Sequence, residues 1–246
     1  MKNKKIAILF YGLTRSLSHC IHSLNQNLFT PLIENCIDFD VFIHENRISG
    51  EYYNPWANEY TQNYYNEDVE TLLQPKYYIY DDQEKIVETI PFHEYYTQHT
   101  GGWTNNVEKD KYVIKNLCLA LFSKKQITKL FDQQHISEEY DYAIIIRPDT
   151  ELHSKIDVNF FNELNDNNII IPEKHCYAGC NDRICIGKPH IISYCGKLFD
   201  ELKSYSEQNT IISERFFQDK LKEKQITILS KKIEYVNIRI NGTRWD

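Results

Sequence analysis

The sequence predicts an α/β fold in which a mixed, mostly parallel central sheet is flanked by helices. Short apolar runs rich in β-branched residues, typical of buried strands, alternate with segments whose apolar residues recur at helical spacing. The chain opens with a strand, a helix and a second strand, which together form a βαβ unit. No repeat, low-complexity tract or linker divides it. We therefore expect a single domain over residues 1–246.

The elements follow from this alternation of patterns. Pro148 lacks an N–H and should end the strand that precedes it. Residues 45–65 are polar and aromatic without clear periodicity and predict an irregular loop, and residues 81–106 show no strong pattern. Strands are predicted at 6–10, 39–44, 77–80, 142–146, 169–171, 183–186, 225–229 and 235–240, and helices at 16–29, 69–73, 107–132, 189–205 and 213–223.

The composition describes a globular protein with an acidic balance. The chain has 28 basic and 35 acidic residues, a formal net charge of −7, which argues against broad non-specific nucleic-acid binding. No stretch approaches the roughly 20 apolar residues of a membrane span, and the first apolar run is too short for a signal peptide. Seven cysteines, an odd number, favour reduced thiols. We therefore expect no transmembrane segment, no nucleic-acid partner and a cytoplasmic location.

A single glycine and an arginine follow the first predicted strand directly. Gly12 lets the backbone approach a ligand closely, and the N–H groups at the start of the next helix favour a phosphate. Arg15 carries a fork of donors suited to a diphosphate or to the edge of a base. One glycine is too few for a dinucleotide fingerprint, so an ordinary strand-to-helix turn is the alternative.

Two acids spaced one residue apart follow the strand at 142–146. Asp149 and Glu151 lie just beyond that strand, and in open α/β sheets ligands bind in the crevice beyond the carboxyl ends of the strands. Magnesium or manganese held by one or two carboxylates would bridge the oxygens of a nucleotide diphosphate and act as a Lewis acid. Arg147 either pairs with Asp149 or contacts the substrate. The alternative is a surface turn with solvated acids.

Two further acids lie in the second half of the chain. Asp182 precedes a short predicted strand and either binds a sugar or a metal or stabilises a turn through an Asx hydrogen bond. Glu214 follows Ser213, which resembles a helix N-cap, and the helix dipole alone explains a negative charge there. The functional alternative for Glu214 is a general base that removes a proton from an acceptor hydroxyl.

Taken together, these motifs resemble the GT-A-type glycosyltransferases of the bacterial capsular and giant-virus kind. In that family a strand–Gly–x–x–Arg start precedes an Asp-Val-Phe-Ile-His strand, and an Arg-Pro-Asp segment stands in place of Asp-x-Asp. The match runs over most of the chain in the expected order, apart from residues 45–106. The matching residues are Gly12, Thr14 and Arg15, then 40–44, 140–141, 147–149, 181–183, 186–187 and 213–214.

This resemblance implies a GT-A-like (Rossmann-like) domain that acts in polysaccharide biosynthesis. It implies transfer of a sugar from a UDP-, GDP- or dTDP-sugar to a hydroxyl of a glycan acceptor. Residues 1–152 would form the nucleotide-binding half and residues 153–246 the acceptor-side half. The residues that the family pattern assigns to the nucleotide are Gly12, Thr14, Arg15, Arg147 and Asp149.

The same resemblance assigns a metal, Mn²⁺ or Mg²⁺, to Asp149 and Glu151. The chain departs from the family here, because Glu151 stands where the usual motif has a second Asp, and its extra methylene reaches further. The need for a metal therefore stays open. Metal-independent variants would use Arg15, Arg147 or Lys188 to neutralise the diphosphate instead.

The family pattern also assigns the catalytic acids. Asp182 would lie near the donor sugar or the acceptor, and Glu214 is the candidate base. Inversion of the anomeric carbon needs one base and one displacement, which Glu214 or Asp182 can serve, and no nucleophile for retention is evident, so we expect inversion. The alternatives are a non-catalytic nucleotide-sugar- or glycan-binding module and a nucleotidyltransferase, although the latter normally has a Gly- and Lys-rich loop after the first strand.

Overall fold

A computed structural model of the chain describes residues 4–95, 106–135 and 139–245. These ranges form twelve strands and ten α-helices, with a π-helical segment, Asn25–Phe29, between the first two helices. None of the described helices is long and apolar enough to cross a membrane. The strands are β1 (Lys5–Gly12), β2 (Asp38–Arg47), β3 (Gly50–Asn54), β4 (Glu59–Tyr64), β5 (Tyr77–Asp82), β6 (Tyr142–Ile146), β7 (Thr150–Leu152), β8 (Asn168–Pro172), β9 (Cys185–Gly187), β10 (Thr227–Lys231), β11 (Tyr235–Ile238) and β12 (Arg244–Trp245). The helices are α1 (Leu17–Leu24), α2 (Thr30–Glu34), α3 (Val69–Leu73), α4 (Gln83–Thr89), α5 (Phe92–Tyr95), α6 (Val107–His135), α7 (Phe160–Glu163), α8 (Pro189–Gly196), α9 (Phe199–Ser206) and α10 (Ser213–Glu223).

Seven strands form the central sheet in the order β10-β8-β9-β6-β1-β2-β5. β1 runs parallel to β2 and β6, β2 parallel to β5, and β8 parallel to β10, whereas β9 is antiparallel to both of its neighbours. The apolar, β-branched residues of β1, β6 and β8 suit strands that are covered on both faces. The predicted α/β fold with a mixed, mostly parallel sheet is confirmed.

Helices cover both faces of this sheet, and successive residues of β1 point into two separate apolar clusters. Ala7 and Leu9 pack with side chains of α6, α8, α9 and α10 on one face. Ile6 and Ile8 pack with α1, α2 and α3 on the other. The period-2 alternation of a strand therefore divides the core into two layers, one on each face of the sheet.

Two predicted helices differ in outcome. The long helix predicted at 107–132 is confirmed as α6, whereas the helix predicted at 189–205 is two helices, because α8 ends at Gly196. A Cβ added at Gly196 would lie 1.8 Å from the Thr128 Oγ1, so α8 crosses α6 at a distance that only glycine permits. In the segment without a pattern, α4 and α5 form, and residues 96–105 lie outside the described residues.

The irregular loop predicted at 45–65 is wrong, because β2 continues to Arg47 and β3 and β4 then form an antiparallel hairpin. Tyr52, Glu59 and the intervening Asn54 are buried, whereas Tyr53 and its cross-strand partner Tyr60 are exposed. The buried face is aromatic and polar, so the apolar alternation that identifies a half-buried strand is absent from the sequence.

A smaller antiparallel sheet, in the order β12-β11-β7, joins the end of the chain to the segment after β6. The ladder of β6 ends before Pro148 as predicted, and the chain re-enters a sheet at Thr150. The strands predicted at 225–229 and 235–240 correspond to β10 and β11. Since Asn237 pairs in register with Thr150, β11 lies directly beside Asp149.

Candidate active site

A cleft of about 260 Å³ lies where β1, β2 and β6 end, with Gly12, Asn46 and Arg147 in its wall. This is the edge of the sheet where parallel α/β folds bind ligands. Among the described residues the wall holds six cationic side chains and two acidic ones, a balance that suits a ligand with several negative charges. The cations are Arg15, Lys115, Lys124, Arg147, Arg183 and Arg239, and the acids are Asp182 and Glu214.

Gly12 and Thr14, both predicted to bind the nucleotide, lie in different surroundings. Gly12 is part of the cleft wall, and its φ of +102° is a conformation that favours glycine. Its N–H donates to the Ser123 hydroxyl at 2.7 Å, and a Cβ added to it would meet no atom within 4 Å. Thr14 is fully buried and donates its hydroxyl to Glu45 Oε1 at 2.7 Å. Gly12 thus borders the cleft, whereas the Thr14 side chain is engaged within the protein.

Arg15 is buried and connects three parts of the fold. Its Nη1 donates to the Tyr52 hydroxyl at 2.7 Å and to Glu59 Oε2 at 2.9 Å. Its Nη2 donates to Asp149 Oδ2 at 2.9 Å. The guanidinium therefore joins the loop after β1, the β3–β4 hairpin and the segment after β6. Most of the Arg15 N–H groups, which the sequence predicts to bind a ligand, are therefore bound to acceptors within the protein.

Asp149 is fully buried at the centre of this network. Arg147 forms a two-pronged ion pair with it, Nε to Oδ1 at 2.8 Å and Nη2 to Oδ2 at 2.5 Å. Asn237 donates to Oδ1 at 3.2 Å, and Arg15 donates to Oδ2. Burial alone would raise the pKa of Asp149, but Arg147 and Arg15 outweigh it and hold the pKa well below its usual range. Of the two roles considered for Arg147, pairing with Asp149 is observed.

Glu151 lies on β7 and is engaged by a different set of partners. Arg244 donates to both of its carboxylate oxygens, Nε at 2.9 Å and Nη2 at 3.2 Å, and the His153 ring lies 3.1 Å from Oε2. Arg244 is the chief cause that lowers the pKa of Glu151. Neither Glu151 nor Asp149 belongs to the cleft wall formed by the described residues.

The predicted metal ligands do not fit a divalent cation in this arrangement. A carboxylate offers about four lone-pair sites, and the four hydrogen bonds to Asp149 occupy them. Both oxygens of Glu151 are held by Arg244. The described residues also contain no group of three or more His, Cys, Asp or Glu side chains arranged to hold a metal. The Mn²⁺ or Mg²⁺ requirement itself stays an untested prediction.

Asp182 and Glu214, by contrast, lie together in the cleft wall. The Ser213 hydroxyl donates to Asp182 Oδ2, which connects the loop before β9 to the first turn of α10. Burial, followed by repulsion from Asp182, raises the pKa of Glu214 from 4.5 to about 7. The backbone here is closely packed, because a Cβ added at Gly179 would lie 2.1 Å from the Glu214 carbonyl oxygen. The backbone of the first turn of α10 therefore packs directly against Gly179.

Lys124 belongs to the cleft wall and was not predicted from the sequence. It is only 4% exposed, and its Nζ donates to the Asp182 carbonyl oxygen at 2.5 Å and lies 4.8 Å from the centre of the Tyr11 ring. The sequence does contain a signal for Lys124. It follows Leu117 by two helical turns and therefore lies on the apolar face of α6. Lys188, the predicted alternative cation, instead lies over the Tyr142 ring at 4.2 Å, outside this wall.

Arg239 was also missed by sequence reasoning, since it follows β11 in an irregular segment without a motif. Its guanidinium lies 4.5 Å from the centre of the Trp245 ring and 3.6 Å from Glu59 Oε2. Burial, together with the nearby charge of Arg15, lowers the pKa of Arg239 to about 10. The C-terminal segment thus supplies one cation and one aromatic ring to the cleft.

No protein-family model and no curated protein matches the sequence. Two solved structures to which the chain is similar are glycosyltransferases. The apo form of glycosyltransferase GlyE from Streptococcus pneumoniae TIGR4 shares 11% identity at a TM-score of 0.44, covering 93% of this chain and 46% of that one. Mouse xyloside xylosyltransferase 1, also an apo form, shares 10% identity at a TM-score of 0.43, covering 94% of this chain and 85% of that one. This chain thus spans about half the length of GlyE.

Proposed function

We propose that the protein is a glycosyltransferase that moves a sugar from a UDP-, GDP- or dTDP-sugar to a hydroxyl of a glycan acceptor, with inversion at the anomeric carbon. The observation that carries this proposal is the placement of Asp182 beside Glu214 in a cleft wall whose other charged side chains, among the residues that the structure describes, are all cations. One wall thus offers both a proton acceptor and a site for a diphosphate. The sequence resemblance to GT-A-type enzymes implies the same reaction.

Glu214 is the base in this reaction. A carboxylate with a pKa of about 7 is a stronger base than an ordinary Glu and is still ionised in part at neutral pH. Glu214 accepts the proton of the acceptor hydroxyl while that oxygen attacks the anomeric carbon. The bond between the anomeric carbon and the diphosphate oxygen breaks, and its electron pair leaves with the nucleoside diphosphate. Burial raises the basicity of Glu214, and the charge of Asp182 raises it further.

The two halves of the chain contribute differently to the cleft. Gly12 and Arg147 come from residues 1–152, whereas Asp182 and Glu214 come from residues 153–246. This division supports an assignment of the nucleotide to the first half and of the acceptor to the second. The transferred sugar would then lie between Arg147 and Glu214.

A panel of nucleotide sugars tests the proposal. A donor that binds the folded state raises the melting temperature in proportion to the logarithm of its concentration over its Kd. We expect one of UDP-, GDP- or dTDP-sugars to raise it, and the matching nucleoside monophosphate to raise it less, because the cationic wall acts on the diphosphate. No rise with any of the three classes, with or without Mn²⁺, would contradict the proposal.

A further inference from the structure

We propose, on the basis of the function proposed above, that side-chain cations, chiefly Lys124 and Arg147, neutralise the donor diphosphate in place of a divalent metal ion. Asp149, which follows β6, then has a structural role. It holds Arg147 and Arg15 in position and does not itself contact a metal. Three observations lead to this assignment.

The first observation is that Asp149 has no carboxylate oxygen left for a cation. Its two oxygens accept four hydrogen bonds, three of them from the guanidinium groups of Arg147 and Arg15. A metal at this position would require both ion pairs to break inside a fully buried site. Breaking such a pair leaves an uncompensated buried charge, which is strongly unfavourable.

The second observation is an excess of positive charge in the same network. Three guanidinium groups, those of Arg15, Arg147 and Arg239, share the two carboxylates of Asp149 and Glu59. All three cations line the cleft, whereas neither carboxylate does. The network therefore presents a net positive charge to whatever occupies the cleft. A divalent cation added there would be repelled, and a diphosphate attracted.

The third observation is the burial of Lys124. Its ammonium has no carboxylate within ion-pair distance among the described residues, and its hydrogen-bond partners are the carbonyl oxygen of Asp182 and the Tyr11 side chain. A buried ammonium costs several kcal/mol unless charge compensates it. Burial lowers the pKa of Lys124, whereas the ionised forms of Tyr11 and Asp182 raise it. Because burial raises the pKa of Tyr11 itself, the Tyr11 hydroxyl is neutral near pH 7, and the charge that favours the ammonium there is that of Asp182. A charged lysine in a cleft wall, without its own carboxylate, is placed to receive an anion from the ligand.

These cations would act on the leaving group. When the bond to the anomeric carbon breaks, the nucleoside diphosphate gains one negative charge on the oxygen that carried the sugar. Fixed cations in a site of low dielectric stabilise that charge without having to reorient during the reaction. Lys124 also contacts the loop that carries Asp182, so the same cation lies beside the leaving group and the acid pair.

Calorimetric titration with UDP, GDP and dTDP, in EDTA and again in Mn²⁺, tests this inference on the unmodified protein. We expect one nucleoside diphosphate to bind with the same Kd in both buffers. Lys124→Met should weaken its binding by about 10- to 100-fold in both, since a charge-assisted hydrogen bond is lost. Lys125→Met is the matched control, because Lys125 pairs with Asp200 outside the cleft and should leave the Kd unchanged.

Binding that appears only with Mn²⁺ and is lost in Glu151→Gln would overturn the inference while leaving the proposed function intact. Tight binding that Lys124→Met does not change, in a variant whose melting temperature is preserved, would also overturn it. If no nucleoside diphosphate binds in either buffer, both the inference and the proposed function fail.

Discussion

Replacing the Glu214 carboxylate by an amide should make the protein more stable and inactive at the same time. The pKa of Glu214 is about 7 in the folded protein and 4.5 in an unperturbed chain. Because one pKa unit corresponds to about 1.4 kcal/mol, ionising Glu214 in the folded state costs about 3 kcal/mol more than in the unfolded state. Glu214→Gln removes this cost. At pH 8 we therefore expect a gain of up to about 3 kcal/mol in the free energy of unfolding, or roughly 6–12 °C in Tm.

The gain in the free energy of unfolding of Glu214→Gln depends on pH. Between pH 4.5 and 7 the folded state retains the Glu214 proton while the unfolded state loses it, so the stability of the unmodified protein falls as pH rises through this window. Below pH 4.5 both states are protonated and the amide variant has no advantage. Above pH 7 the advantage is constant. The stability difference should therefore rise from near zero at pH 4 to its full value near pH 8.

Urea unfolding of the unmodified protein and of Glu214→Gln at pH 4, 6 and 8 measures this difference. Glu88→Gln, at an exposed position on α4, is the matched control, and its free energy of unfolding should stay within about 0.5 kcal/mol of that of the unmodified protein. An equal difference at all three pH values would refute the argument, because it would show that Glu214 ionises as readily in the folded protein as in the unfolded chain. A destabilised Glu214→Gln at pH 8 would refute it as well.

Three further predictions concern the acid pair and the packing around the cleft. Burial and then the charge of Asp182 raise the pKa of Glu214, and Asp182→Asn removes the second of these causes. The acidic limb of the pH profile of kcat/KM should therefore move to lower pH, and an unmoved limb would contradict the coupling. Glu59→Gln breaks the buried ion pairs to Arg15 and Arg239 and should cost about 3–5 kcal/mol in urea unfolding, and a loss below about 1 kcal/mol would contradict the network. Gly196→Ala places a Cβ against Thr128 and should cost about 1–3 kcal/mol by the same measurement; an unchanged stability would show that α8 can move away from α6.

The central sheet could be predicted because its strands carry the signals that burial on both faces requires. Runs such as Tyr142–Ile146 are apolar and β-branched, and Pro148 marks the end of the ladder. The β3–β4 hairpin could not be predicted, because its buried face consists of Tyr52, Asn54 and Glu59, which are buried through hydrogen bonds to Arg15 and to one another. The local sequence pattern does not show that Arg15, which is distant in sequence, forms hydrogen bonds with these buried side chains.

The candidate site was predictable only in part for the same reason. Glu214 and Asp182 were identified by their positions at the start of a helix and before a strand, and the structure brings them together. The sequence also marked Asp149, but not that Asn237 and two arginines occupy its oxygens. Lys124 was visible as a cation on an apolar helix face. Its contact with the loop of Asp182 depends on tertiary packing that helical spacing does not contain.

The most direct test of a transferase with Glu214 as its base compares donor binding with turnover in one variant. With the nucleotide sugar that raises the melting temperature, the Kd of Glu214→Gln for the donor should equal that of the unmodified protein, because Glu214 acts on the acceptor hydroxyl. Release of nucleoside diphosphate in the presence of acceptor should fall by about 10²–10⁴-fold, the usual contribution of a general base. Equal release by both proteins would contradict the account.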